Sequence, residues 1–169
     1  MTNRAAPLLL PEHVAWINAG VSGIVASRSA TSQPSIARAL ALSMRPDGRK
    51  LTALLRPDQS RELLSDLQAG RPMAIVLSQP STNRTLQLKA SRARVRSATA
   101  YEQAAQSAYV AAMQREIGSL GYPPEFVAAL LHVAQPQELV AVEIAPEQAF
   151  DQTPGPRAGS PLRALEGST

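Results

Sequence analysis

The chain has 169 residues, a formal net charge of +4, no cysteine and only two histidines, His13 and His132. Disulfides and thiolate metal sites are therefore excluded, no metal centre is expected, and a Ser/His/Asp hydrolase would have to be built around one of two imidazoles. No apolar run approaches a membrane span, and the opening is too short and proline-interrupted for a secretory signal, so a cytoplasmic chain with no membrane partner is expected.

The length suits one domain, expected over residues 1–159, with 160–169 as a flexible tail. Charge is unevenly spread. Between Arg28 and Arg96 thirteen basic residues face four acids, whereas from Ser97 onward three arginines face eight acids. A basic half of this kind can hold an anion or meet an acidic half across a dimer.

In chain order, Pro11 to Ala19 reads as a short helix with Val14, Ala15 and Ile17 inward and Gly20 as its stop. Val21 to Ser29 is β-rich, and Ser32-Gln33-Pro34 turns it into a strand from Ser35 to Met44. Pro46-Asp47-Gly48 is a turn, since proline presets φ and glycine accepts the left-handed position, and it leads to a strand from Lys50 to Leu55. Pro57-Asp58 opens a helix with Asp58 as cap and Leu63, Leu64 and Leu67 at helical spacing until Gly70.

Pro72 to Ser78 is a continuous apolar run typical of a strand covered on both faces. The strand from Arg84 is long and changes parity, with apolar residues even through Ala90 and then odd at Ala93 and Val95. A β-bulge near Ser91-Arg92 accounts for this and lets the strand bend, leaving Arg92, Arg94 and Arg96 in solvent. Tyr101 to Ile117 is an alanine-rich helix with Ala105, Ala108, Ala112 and Met113 on one side. A helix from Pro123 to about Val133 and a closing strand from Gln137 to Ala145 follow. Together these predict an α+β chain that is mainly β, a six-stranded antiparallel β-barrel with peripheral helices, with a sandwich as the competing architecture.

Two arginines stand out. Arg38 shares parity with Ile36, Leu40, Leu42 and Met44, and Arg84 with Leu86, Leu88 and Ala90, so both are expected on the apolar face of a strand. A guanidinium stays charged and is costly to bury unpaired, so the two ask for an anion. The junction Arg56-Pro57-Asp58-Gln59-Ser60-Arg61 adds a third candidate, because a helix start favours an anion and Ser60 and Arg61 supply a hydroxyl and a charge. His132, Trp16 and Tyr109 read as packing residues. Arg92, Arg94 and Arg96 lack the interleaved aromatics of a nucleic-acid surface, and no nucleic-acid partner is expected.

The order of these elements, ending in Ser81-Thr82-Asn83-Arg84-Thr85-Leu86-Gln87-Leu88-Lys89, resembles the pyridoxamine 5'-phosphate oxidase-like, FMN-binding split β-barrel family. The stretch Phe150 to Gly159 is similar to a tail found in a subgroup of that family. The resemblance implies a homodimer with FMN at the subunit interface and phosphate held by basic and hydroxyl residues. It implies flavin contacts from Arg38 and the backbone of Ala39 and Leu40, phosphate contacts from Thr52, Ser60 and Arg61, and further contacts from Arg84 and Thr85. No catalytic side chain is assigned. A lysine common after the helix-turn arginine is Glu62 here, and a glycine common at the end of the fifth strand is Ala90. The functional expectation is an FMN-dependent oxidoreductase, with a non-catalytic flavin or small-ligand carrier as the alternative.

Overall fold

The computed structural model describes residues 8–133 and 138–162. Within them the order is α1 (Pro11–Asn18), β1 (Ser22–Arg28), β2 (Pro34–Arg38), β3 (Ala41–Met44), β4 (Leu51–Leu55), a 3-10 turn (Pro57–Gln59), α2 (Arg61–Gln68), β5 (Met73–Ser78), β6 (Thr85–Ala90), β7 (Arg94–Ser97), α3 (Ala100–Gly118), α4 (Pro124–Leu130), β8 (Val140–Ile144), β9 (Gln148–Asp151) and β10 (Ser160–Pro161). The strands form two antiparallel sheets, one in the order β10-β9-β6-β5-β1-β2 and the other β3-β4-β8-β7. The mixed α+β class with peripheral helices holds. The strand count does not: the described residues form ten strands, not six.

Two corners account for half of the difference. The segment that reads as one strand from Ser35 to Met44 breaks between Ala39 and Leu40. The Ala39 amide donates to the Gly23 carbonyl of the first sheet at 2.9 Å, and the Leu40 amide donates to Leu54 of the second at 2.8 Å. The strand from Arg84 breaks at residues 91–93, close to the expected bulge, so β6 lies in the first sheet and β7 in the second. Strands that change sheet at a corner let two sheets wrap one core. The remaining additions come from the tail. Ser160 and Pro161 pair with Asp151 and Phe150, and the Leu162 amide donates to Ala149. Residues 160–161 are thus a strand and not a frayed end, while the rest of the expected tail, 163–169, lies outside the described residues, as does Gln137.

Between the sheets, Val25, Ile75, Leu77 and Leu88 meet Leu51, Leu55 and Val142, and Ile17, Leu63 and Leu67 of the two short helices close the ends. A smaller core lies on the outer side of the second sheet, where Leu40, Leu54 and Ala141 pack under Tyr109, Met113, Ile117 and Val127. Helix faces turn slightly from their expected positions. In α1 the buried residues are His13, Val14, Trp16 and Ile17, and Ala15 is exposed. In α3 the buried stripe is Tyr109, Val110, Met113 and Ile117, with Ala105 and Ala108 exposed. Larger side chains remove more apolar area from water, so they take the inward stripe and leave the alanines outside.

The start of α3 is tied to the second sheet by charge. Thr99 and Glu102 form a capping box, with the Glu102 amide donating to Thr99 Oγ1 at 3.2 Å. The Arg96 guanidinium forks onto Glu102 at 2.7 and 2.6 Å and also donates to Glu143 at 2.7 Å. Arg96 is therefore engaged, unlike the solvent-facing residue expected. Its hydrogen bonds hold the Glu102 carboxyl down at about 2, well below the ordinary 4.5. A carboxyl depressed in the folded state stabilises above its unfolded value and loses that contribution as the pH falls through the folded one. Glu102→Gln should accordingly cost about 1–2 kcal/mol near neutral pH, allowing for solvent screening. Urea unfolding should show the gap to the unsubstituted chain closing between pH 4.5 and about 2.

Candidate functional site

Alternation fixes which side chains of the six-stranded sheet face outward, and the register then gathers them. Val25, Ile75 and Leu88 point into the core, so their neighbours Ile24, Val76 and Gln87 form a row on the outside. β2 pairs with β1 as Val25↔Ala37 and Ile24↔Arg38. Arg38 therefore faces outward, and Ile36 on the same face is 68 % exposed while Ser35 is 6 % exposed. The expectation that Arg38 shares a buried face with Ile36 fails for a definite reason. Leu40 and Met44 are buried because the chain has changed sheet, so a period of two read through the corner assigns β2 the wrong face.

Outward placement gives Arg38 hydroxyl neighbours. Its Nη1 donates to Ser22 Oγ at 2.9 Å, Ser22 stands opposite Ser78 in register, and the Ser78 and Thr85 hydroxyls are 3.2 Å apart. One guanidinium and three hydroxyls thus form a polar row across four strands, beside the apolar row of Ile24 and Val76. Arg38 and Thr85 were expected in the site; Ser22 and Ser78 were not. Their signal is weak in the sequence, since only the strand register places two ordinary serines between Arg38 and Thr85.

β2 is also the edge of its sheet. Because the Ala39 amide points to β1, alternation directs the backbone groups of Ile36 and Arg38 to the open edge. At the other end of β2 a groove of about 590 Å3 opens between the β1–β2 turn and α2, and its lining includes Ser29, Gln33, Ser35 and Arg61. Glu62 and Asp66 line it too. Asp66 is already engaged, accepting from Ser35 Oγ at 2.6 Å. Four residue steps separate Pro34 from Arg38, roughly 13 Å along a strand.

The other expected site residues lie elsewhere. Ala39 is fully buried and Leu40 sits in the smaller core, and both backbone amides are spent on sheet hydrogen bonds. Thr52 is buried in the second sheet between Ser43 and Glu143, beside a cavity of about 130 Å3 under the start of α3. Ser60 is buried and donates its hydroxyl to the Arg56 carbonyl, while Arg61 next to it is exposed. Asp58 does not cap α2. It takes a two-point bond from Arg56, Nε to Oδ1 at 3.1 Å and Nη2 to Oδ2 at 2.9 Å, so the junction starts with a 3-10 turn and α2 begins at Arg61. Arg84 keeps the inward parity of Leu86 but stacks on the buried Trp16 ring, 4.7 Å from its centroid. Trp16 in turn donates to Gln79 Oε1 at 3.0 Å. Arg38 and Thr85 therefore share one face of the sheet at the two ends of the polar row, Arg61 lies beside the far end of β2, and Arg84 is on the other side of the sheet.

This edge can receive an elongated ligand with polar or anionic groups toward its ends and a planar apolar body. Arg61 and nearby hydroxyls stand at one end, Arg38 with its hydroxyl row at the other, and Ile36 between them.

No family model matches the chain, and no curated protein does. Solved structures do. HupZ of Group A Streptococcus superposes with a TM-score of 0.52 at 14% sequence identity, covering 89% of this chain and 100% of that one. A putative pyridoxamine 5'-phosphate oxidase from Lactobacillus delbrueckii gives a TM-score of 0.52 at 14% identity, covering 88% and 97%. The chain thus has the fold of the pyridoxamine 5'-phosphate oxidase-like proteins, as its element order implies.

Proposed function

We propose that this chain binds FMN along the open edge of β2, at the interface of a homodimer, and works as an FMN-dependent oxidoreductase. The observation that carries the reading is the β2 edge, where exposed Ile36 lies between Arg38 with its hydroxyl row and the Arg61 groove. The shared fold with a putative pyridoxamine 5'-phosphate oxidase supports it by analogy. FMN when bound supplies the redox chemistry, so the chain needs only to bind, orient and exclude water. Arg38 and Arg61 bind in this scheme, and Ser22, Ser78 and Thr85 orient the polar edge. The second copy is supported by β5, whose sequence is apolar on both faces. Met73, Ile75 and Leu77 are buried, but Ala74 and Val76 are only half covered in one protomer. A partner across that face would complete their burial and cover the ligand. No helix formed by the described residues is long and apolar enough to cross a membrane.

A carrier that holds flavin without turnover is favoured by one feature, the Glu62 carboxylate beside Arg61, which weakens an anion site there. Spectra separate the two readings. Purified protein should carry a flavin absorbance that bleaches with NADPH or NADH and recovers in air; stable flavin that is never reduced supports the carrier. Protein that binds no added FMN in a calorimeter overturns both. Hydrogen bonds to a charged group contribute about 1.5–3 kcal/mol, so Arg38→Ala should weaken FMN binding by roughly 10- to 100-fold. Arg61→Ala should weaken it too. Arg84→Ala is the control: losing its stacking on Trp16 should cost about 0.5–1 kcal/mol of stability and leave FMN affinity nearly unchanged.

A further inference from the structure

α1 begins without the hydroxyl or carboxylate that commonly satisfies the first amides of a helix, since its N-cap is Leu10. A histidine takes that part. Nδ1 of His13 accepts the Leu10 amide at 3.1 Å, which puts the ring proton on Nε2, 3.9 Å from Glu12 Oε1. The ring is only 9 % exposed, and the amide it holds follows the buried core residue Leu9. An imidazole accepts at Nδ1 only while neutral. Once protonated, both nitrogens donate, and the Leu10 amide faces an N–H.

Arg84 carries the consequence beyond the helix start. Its guanidinium acts electrostatically on His13 and lies 4.7 Å over the Trp16 ring. Trp16 Nε1 donates to Gln79 Oε1 at 3.0 Å, and the Gln79 amide closes the β5–β6 turn on the Arg84 carbonyl at 2.9 Å. That turn leads from Ser78 to Thr85, two hydroxyls of the polar row. Burial, Arg84 and the positive end of the helix dipole all disfavour an imidazolium here. The Glu12 and Asp151 carboxylates favour it, but the Glu12 side chain is 70 % exposed and Asp151 already accepts the Thr153 amide at 2.9 Å. The balance, led by burial, holds His13 below its ordinary 6.5.

We propose that His13 makes α1 an acid-sensitive clasp on the β5–β6 turn, closed while its imidazole is neutral and loosened when the ring takes up a proton. Protonation removes the acceptor of the Leu10 amide and sets a second cation against Arg84, the group stacked on Trp16. Neutral His13 stabilises the clasp fully above pH 6.5, and that contribution is lost as the pH falls through the lowered folded value. Glu116 and Asp151 stay ionised over that range. Glu116 accepts from Gln79 and the Ser81 amide and is held below the ordinary carboxylate value despite its burial, and Thr153 holds Asp151 low as well. The far end of α1 stays fixed, because Asn18 exchanges two hydrogen bonds with the Met44 backbone at 2.9 and 2.8 Å. The loosening is therefore local.

Trp16 is the only tryptophan, so its fluorescence reports on this contact alone. Between about pH 7.5 and 5 on the full chain, its emission should move to the red and its quenching by acrylamide should rise, with a midpoint below 6.5. Hydrogen exchange should show the Leu10 amide losing roughly 3- to 10-fold in protection over the same range. His13→Gln should remove the transition while keeping the cap, because a glutamine at the third helical position accepts the N-cap amide in a capping box. The proposal is overturned if the unsubstituted chain shows no change in that range, if His13→Gln keeps the transition, or if His132→Gln abolishes it. Far-UV circular dichroism that collapses together with the fluorescence overturns it too, since the change is then global. Should His13→Gln not fold, NMR titration of the His13 ring in the unsubstituted chain decides. Its midpoint must coincide with that of the Trp16 shift, and a separate midpoint overturns the clasp.

Discussion

Gly20→Ala should lower the unfolding free energy by about 2–5 kcal/mol, measured by urea or thermal unfolding. Two causes add at this position. Gly20 has φ of +100°, in the region where a side chain is strained, and a Cβ placed on it would fall inside van der Waals contact of Ala112 Cβ. The glycine both ends α1 and lets the following chain pass close to α3. Ala112→Gly introduced alongside it should recover the steric part and leave the backbone part, about 1–3 kcal/mol, in place. Full recovery would mean that contact alone sets the cost. No loss in the single variant would mean that the two segments are not packed this closely.

Leu88→Ala should cost about 2–5 kcal/mol, because it opens a cavity in the middle of the six-stranded sheet. Leu88 is 0% exposed and stands between Ile75 and Ala149 in register. Val76, opposite Gln87 in register, lies on the other face of the sheet and is only half-buried. Val76→Ala should cost less than about 1 kcal/mol in dilute protein, and more as protein concentration rises if a second copy covers that face. A large concentration-independent loss at Val76 would contradict the two-faced reading of the sheet. Light scattering on a Val76→Asp variant provides the direct check, with a dimer for the unsubstituted chain and a monomer for the variant as the expected pair.

Much of the fold was readable from residues alone. The turn at Pro46-Asp47-Gly48, the helix stop at Gly20, the bend near Ser91-Arg92 and the strand from Pro72 each follow from local chemistry, and the structure has them near the expected positions. The packing of Trp16 and Tyr109 was also legible, since a large ring on a short amphipathic helix or on an alanine-rich one seeks a core. The candidate site was legible only as a set of residue types. Arg38, Arg61 and Thr85 carry the right chemistry, but nothing in their spacing tells that Arg38 faces out or that Arg84 rests on Trp16.

What the sequence by itself determined is where the main turns and helices fall, which residues are cationic, and the α+β class, because those depend on short-range sterics and period. What only the tertiary structure decided is face and company. The corner between Ala39 and Leu40 inverts the period-two reading of β2, since the residues after it bury against a different sheet. Register across β2, β1, β5 and β6 then sets Arg38, Ser22, Ser78 and Thr85 in one row. Likewise Arg96 becomes a partner of Glu102 and Glu143, while Arg92 and Arg94 on the same stretch join Arg49 and Lys50. Strand pairing joins residues tens of positions apart, and no local pattern encodes which ones will meet.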